Sequence, residues 1–239
     1  MTTTRTKEHD AVLARACVVI PMYNEASVIG DVVRAVRERF GRVVCVDDGS
    51  SDESPVLARA AGAEVVPHPV NLGQGAALET GLRRALRDPL TRYVVTFDAD
   101  GQHSVEDAAG MVAAADDLGM QVVLGSRFLG GIEGATGHRK ALLKMAVRFT
   151  RATTGLNVTD AHNGLRVFRR DVAEKLRFRL HGMSHASEVL SVIARQEWSY
   201  IEHPTTVVYT DYSRAKGQRG YNAFNIVYDL ALNRVRAAS

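Results

Sequence analysis

The sequence predicts an α/β fold, a single domain whose mainly parallel central sheet is flanked by helices. Three observations predict it. Short apolar runs rich in β-branched residues recur at Cys17-Val18-Val19-Ile20, Val43-Val44-Cys45-Val46, Glu64-Val65-Val66, Tyr93 to Phe97 and Val122-Val123-Leu124, the pattern of buried strands. Between them lie segments with apolar residues at helical spacing, the alternation that right-handed crossovers between parallel strands require. Polar clusters stand just past three of the strands, at Tyr23-Asn24-Glu25, Asp47-Asp48-Gly49-Ser50 and Asp98-Ala99-Asp100, where ligands bind in open α/β sheets.

Taken in order, Met1 to Asp10 is polar and lacks the apolar stretch of a signal peptide, so residues 1–14 are expected to be a flexible tail before a domain at 15–239. The first strand ends at Pro21. Ser27 to Phe40 is predicted as a helix from the grouping of Val28, Ile29, Val32, Val33 and Val36, with Gly41 as its stop. A second helix is expected over Pro55 to Ala61. A third, opened by Asn71-Leu72-Gly73-Gln74-Gly75, runs through Leu86 to the stop at Asp88-Pro89. A fourth covers Val105 to Leu118. The Gly-rich stretch Gly130 to His138 reads as a loop with freedom to move.

Composition narrows the function classes. Hydrophobic residues are 46% and charged residues 24% of 239, enough apolar content for a sizeable core. A net charge of +3 is too mild to indicate nucleic acid. Cys17 and Cys45 both lie in apolar runs and read as reduced core residues, with no disulfide or metal spacing. No apolar run reaches the roughly 18 residues a membrane span needs. No GxGxxG follows the first strand and no GxxxxGK[ST] occurs, which disfavours classical dinucleotide and P-loop binding.

The turn Asp98-Ala99-Asp100-Gly101-Gln102-His103 carries the chemistry. Two carboxylates at a strand end suit Mg²⁺ or Mn²⁺, which take oxygen ligands and share them with substrate phosphates. The plain reading makes these Asp turn formers and caps, as Ser50-Ser51-Asp52-Glu53 also suggests. Three acidic clusters on one rim repel one another unless a cation or polar ligand stands between them, which favours a site.

At this point the residues resemble a known family. Val18-Val19-Ile20-Pro21-Met22-Tyr23-Asn24-Glu25, Val46-Asp47-Asp48-Gly49-Ser50-Ser51-Asp52, Asn71-Leu72-Gly73, Asp98-Ala99-Asp100-Gly101-Gln102-His103 and Gly125-Ser126-Arg127 follow the order of family 2 glycosyltransferases with the Rossmann-like GT-A fold. The pattern is most similar to dolichol- and polyprenyl-phosphate sugar synthases, continuing through Asp160, Asn163-Gly164, Glu188 and a late basic segment, Tyr212 to Gly217. The resemblance implies that Pro21, Tyr23, Glu25, Val46, Asp48, Asp98, Ala99, Asp100, Arg127 and Arg214 bind a nucleotide-sugar. It implies Asp98, Asp100 and Arg127 as catalytic, and Asp100 with Gln102 as ligands of Mg²⁺ or Mn²⁺. Arg139, Arg214 and Lys216 match positions around the acceptor phosphate. Gly217-Gln218-Arg219-Gly220 stands where mannosyl synthases tend to carry Gly-x-Ser-Lys, which tilts the expected donor from GDP-mannose towards a UDP-sugar such as UDP-N-acetylhexosamine.

The expected reaction is inverting transfer of a sugar from a nucleotide diphosphate to a polyprenyl or dolichyl phosphate. A lipid phosphate is already an anion and needs no general base, whereas a hydroxyl acceptor does. Guanidinium groups would hold the two anionic substrates together. The alternatives are transfer to a saccharide or small-molecule hydroxyl, with Asp160 or Glu188 as base, and a non-catalytic nucleotide-sugar binding subunit. Among the histidines, His162 and His181 are left unassigned and His185 is expected near the acceptor.

Two segments are candidate membrane-interface helices, 138–153 and 221–236. In the first, Leu142, Met145, Ala146 and Phe149 fall on one face and Lys140, Lys144, Arg148 and Arg151 on another, the pattern of a basic amphipathic helix. The second carries Phe224, Ile226, Val227, Leu230 and Leu232. The expectation is a cytoplasmic protein peripherally attached to the cytoplasmic face of the membrane, with a small membrane-embedded subunit as a candidate partner and no nucleic acid.

Overall fold

The computed structural model describes residues 2–133, 137–178 and 185–208. Its centre is a seven-stranded sheet: β1 (Ala16–Met22), β2 (Arg42–Asp47), β3 (Glu64–Pro67), β4 (Tyr93–Thr96), β5 (Val122–Glu133), β6 (Arg166–Arg169) and β7 (Tyr200–Val208), in the order β3-β2-β1-β4-β6-β5-β7. All neighbouring pairs are parallel except those of β6, which runs antiparallel to both β4 and β5. Every residue of β1 is buried, as expected of a strand covered on both faces.

Alternate residues of β1 feed two cores. Val18, Ile20 and Met22 pack with α2 (Ile29–Arg39) and α5 (Val105–Asp117). Cys17 and Val19 pack with α4 (Gln74–Ala85), α6 (Gly137–Thr154) and α8 (His185–Arg195). Helix α4 lies so close to the sheet that a Cβ on Gly81 would collide with the Val19 side chain. Between these elements stand α3 (Ser54–Ala60) and the short α7 (Arg170–Ala173).

Four features differ from the sequence reading. Thr2–Leu13 forms a helix, α1, in place of a flexible tail, because Val12 and Leu13 find apolar partners in the first core. β5 extends through much of the Gly-rich stretch, pairing Gly131 to Glu133 with β7 beyond a register irregularity after Ser126. β6, α7, α8 and β7 have no counterpart among the elements the sequence pattern predicts. The buried face of α6 is Leu143, Ala146, Val147 and Thr150, while Met145 is 60% exposed and Phe149 is partly so. The predicted helix at 221–236 lies outside the described residues. Among the described residues no helix is long and apolar enough to cross a membrane.

Candidate functional site

The parallel strands β1, β2 and β4 deliver their polar clusters to one rim, since Met22 pairs with Asp47 and Val19 with Thr96. The first two clusters are laced together. Asn24 N donates to Ser50 Oγ at 2.9 Å, Ser51 N to Asn24 Oδ1 at 2.8 Å, and Glu25 N to Ser54 Oγ at 2.7 Å. Asp47 accepts from Ser50 N and Asp52 from Ala26 N, both at 3.1 Å. These two aspartates do the turn work that aspartates ordinarily do. Tyr23 stands 43% exposed at this rim and Glu25 is buried.

Asp48 is buried, and its carboxylate is directed inward. It accepts from Leu72 N at 2.9 Å and Gly73 N at 2.8 Å, and it meets His68 Nδ1 at 2.8 Å. His68 Nε2 in turn reaches Thr80 Oγ1 at 2.9 Å. Asp48, expected to bind nucleotide, therefore shapes the loop that leads into α4. That loop sets the position of Gln74, whose Nε2 donates to Asp98 Oδ1 at 3.2 Å.

Asp98 and Asp100 follow β4. His103 Nε2 lies 2.9 Å from Asp98 Oδ2, with the histidine side chain 3% exposed and Asp98 30% exposed. The backbone of Gly164, just before β6, presses against the same carboxylate: a Cβ there would sit 2.6 Å from Asp98 Oδ1 and closer still to Oδ2. Asp100 accepts from Gln102 N at 3.1 Å. Burial, followed by the neighbouring Asp98 charge, pushes its carboxyl up to about 6, against the opposing Gln102 N–H and His103. Glu25 adds to the rise.

Arg127, past the first part of β5, is buried rather than solvated. Its Nε donates to Asp160 Oδ2 at 2.6 Å and its backbone N to the same oxygen at 3.1 Å. Asp160 is held in turn, with its N donating to Glu202 Oε1 at 3.1 Å and its Oδ1 accepting from His162 N at 3.2 Å. Asp160, considered as a base for a hydroxyl acceptor, is thus a fixed anion that orients Arg127. Arg166, at the start of β6, is a further buried cation that the sequence reading missed. Burial lowers its guanidinium to about 10, and the charges of Asp98 and Asp160 oppose that fall. Its Nη2 donates to Ala186 O at 3.4 Å. Only the neighbouring Asn163-Gly164 pair signalled this segment in the sequence.

The other expected residues fall as follows. Pro21 and Val46 are buried within β1 and β2, and Ala99 is buried in the Asp98 turn. Glu188 lies on α8. Arg139 lies on α6 with its side chain outside the described residues, as is that of His185 at the start of α8. Arg214, Lys216, Arg219 and His181 are outside the described residues altogether.

A divalent cation fits this rim. Asp100 is a carboxylate that burial and like charges hold back from ionising, and a cation would reverse that penalty. No group of three or more His, Cys, Asp or Glu side chains converges as a metal cage among the described residues. Such a cation would therefore rest on one or two protein ligands, with a substrate supplying the remainder, as Mg²⁺ commonly does.

Comparison with known proteins settles the family. The model of glycosyl transferase family 2 matches residues 17–177. The chain belongs to glycosyl transferase family 2. Among curated relatives of this family-2 chain, a UDP-N-acetylglucosamine–dolichyl-phosphate N-acetylglucosaminyltransferase of Methanococcus voltae is 29% identical over 90% of this chain and 94% of its own length. The polyprenol monophosphomannose synthase of Mycolicibacterium smegmatis is 31% identical over 68% of this chain and 64% of its own. Among solved structures, glucosyl-3-phosphoglycerate synthase of Mycobacterium tuberculosis, in complex with Mn²⁺, UDP-glucose and phosphoglyceric acid, superposes with a TM-score of 0.69 at 18% identity, covering 94% of this chain and 82% of the other. That likeness confirms the GT-A fold of the family-2 domain.

Proposed function

We propose that this family-2 chain is an inverting, metal-dependent glycosyltransferase that moves a sugar from a nucleotide diphosphate to a polyprenyl or dolichyl phosphate. The observation that carries the reading is the Arg127–Asp160 pair. A hydroxyl acceptor requires a carboxylate poised to take its proton, and Asp160 is spent on holding a guanidinium. A buried arginine with a fixed orientation is instead suited to a phosphate, which it binds in a bidentate manner. The relatives named for dolichyl-phosphate and polyprenol substrates support the same acceptor class.

In this reading Asp100 and Gln102 hold Mg²⁺ or Mn²⁺, which neutralises the charge that develops on the leaving diphosphate. Asp98 lies on the donor side, with Gln74 Nε2 donating to its Oδ1. Tyr23 and Glu25 line the nucleotide, and the loop braced by Asp48 closes that end of the cleft. Arg127 draws the acceptor phosphate towards the sugar carbon, with Arg139, Arg214 and Lys216 supplying further positive charge. The acceptor oxygen attacks as an anion, so no proton has to be removed.

The donor we propose is a UDP-linked sugar of the N-acetylhexosamine type, consistent with the Methanococcus relative; GDP-mannose is the competitor. Attachment is peripheral at the cytoplasmic face of the membrane. Helix α6 supports this, because its buried face leaves Lys144, Met145 and Arg148 exposed, a combination that suits an anionic lipid surface. The deciding experiment supplies membranes with labelled UDP- and GDP-sugars and identifies the lipid product by mass. Metal-dependent labelling of a polyprenyl phosphate, abolished by Asp100→Ala or EDTA, is expected. Transfer only to a water-soluble hydroxyl acceptor, or nucleotide binding without turnover, would refute the reading.

A further inference from the structure

His103 is the one part of the acidic turn whose geometry the proposed reaction does not already use. Its ring is nearly sealed from solvent, stacked edge-on against Phe97 with centroids 5.6 Å apart. One ring nitrogen, Nε2, faces Asp98 Oδ2 at 2.9 Å. The other, Nδ1, is buried and has no hydrogen-bond partner among the described residues. An unmet polar atom in such a place costs roughly 1–3 kcal/mol, and a leucine or phenylalanine would pack against Phe97 without that cost. The benefit that offsets it is on the other nitrogen.

The geometry also selects a tautomer. With the proton on Nε2, the ring donates to the Asp98 carboxylate and leaves only a bare acceptor at Nδ1. With the proton on Nδ1, a lone pair would face the carboxylate and a buried N–H would have no acceptor, so both ends would be unfavourable. The backbone holds the ring from two sides. Gln102 O accepts from Val208 N at 3.1 Å, His103 bridges antiparallel to Val207, and Ser104 caps α5. Side chains that aim a functional carboxylate work best when rigid elements lock their own position.

We propose that His103 is a positioning residue for the donor and cation site: its Nε2–H locks Asp98 in the orientation that faces the nucleotide diphosphate, with Gln74 holding the other oxygen. The proposal rests on the reading of this rim as a nucleotide and metal site. Groups in this role typically change metal affinity or activity by about 10–100-fold when removed.

The test compares the full chain with His103→Leu and His103→Gln by calorimetry, with UDP plus Mn²⁺ and GDP plus Mn²⁺ as probes. Glutamine places a donor where Nε2 stands; leucine fills the volume without one. The expected result is nucleotide binding by the unaltered chain, a loss of about 10–100-fold in His103→Leu and recovery in His103→Gln. Equal binding by His103→Leu, or equal loss in both variants, would overturn the positioning role. If the unaltered chain binds neither nucleotide, the nucleotide-site reading itself fails and takes the proposal with it. Long-range ¹H–¹⁵N NMR of the unaltered chain gives an independent measure that requires neither variant to fold nor ligand to bind. The Nε2–H tautomer is expected, and an Nδ1–H tautomer overturns the proposal.

Discussion

Replacing Gly164 with alanine separates the site from the fold more cleanly than any substitution of a charged residue. The added Cβ would lie 2.6 Å from Asp98 Oδ1, nearer to Oδ2, and 2.7 Å from the carboxyl carbon, where approaches under 3.0 Å are essentially never seen. The carboxylate must withdraw, and its 2.9 Å contact with His103 and 3.2 Å bond from Gln74 lengthen or break. Gly164 is not among the glycines of positive φ, so alanine meets no backbone strain and loses less chain entropy on folding, a gain of about 0.4–1 kcal/mol. A shift on the order of 1 Å at a reacting group costs about a hundredfold in rate, equivalent to roughly 2.7 kcal/mol. Gly164→Ala should therefore lower kcat/KM for sugar transfer to a polyprenyl phosphate about a hundredfold while its Tm stays close to that of the parent. The measurement is initial rate with saturating Mn²⁺, beside thermal unfolding of both proteins. Full activity in a folded Gly164→Ala would show that the orientation of Asp98 does not matter to transfer.

Further tests follow from the same contacts. Asp100, raised from 3.8 to about 6 in the folded chain, binds its proton more tightly folded than unfolded, so its contribution to stability is full below pH 3.8 and disappears as pH rises through about 6. Chelator-treated protein should accordingly lose Tm over that window relative to Asp100→Asn, and Mn²⁺ at pH 7 should restore it; an identical pH profile in the variant would contradict the assignment. Asp160→Ala removes the carboxylate that accepts from both Arg127 Nε and Arg127 N and should lower the midpoint of denaturant unfolding; an unchanged midpoint would show that the pair does not hold this part of the fold. Lys144→Glu with Arg148→Glu, both on the exposed side of α6, should leave Tm unchanged and reduce co-sedimentation with anionic vesicles.

Much of the site was legible because turn chemistry is local. Asp98 and Asp100 two residues apart after an apolar run announce a strand end with carboxylates whatever the rest of the chain does. Asp47 and Asp52 were ambiguous for the same reason, and both serve as turn formers. Asp48 and Arg127 were assigned to ligands by resemblance, yet each owes its position to partners distant in sequence: Asp48 to Leu72 and Gly73, Arg127 to Asp160 33 residues away. Periodicity placed α6 but misassigned its face by one residue. Leu143 and Val147 meet the core while Met145 is exposed, because a helix rotates to suit the neighbour it packs on, and that neighbour, α8, is not among the elements the sequence pattern predicts.

By itself the sequence determined the alternation of strands and helices, the burial of β1 on both faces and the location of three acidic turns on one rim. Each is a consequence of residue type and spacing over ten or so positions. The tertiary structure alone decided what surrounds those turns. Antiparallel β6 enters between β4 and β5 and brings Gly164 against Asp98 and the Arg166 charge within electrostatic reach of it, with Thr96 Oγ1 donating to Gly164 O across 68 residues of chain. No local pattern encodes that insertion, since a four-residue strand buried on both sides is defined by the hydrogen bonds its neighbours leave open.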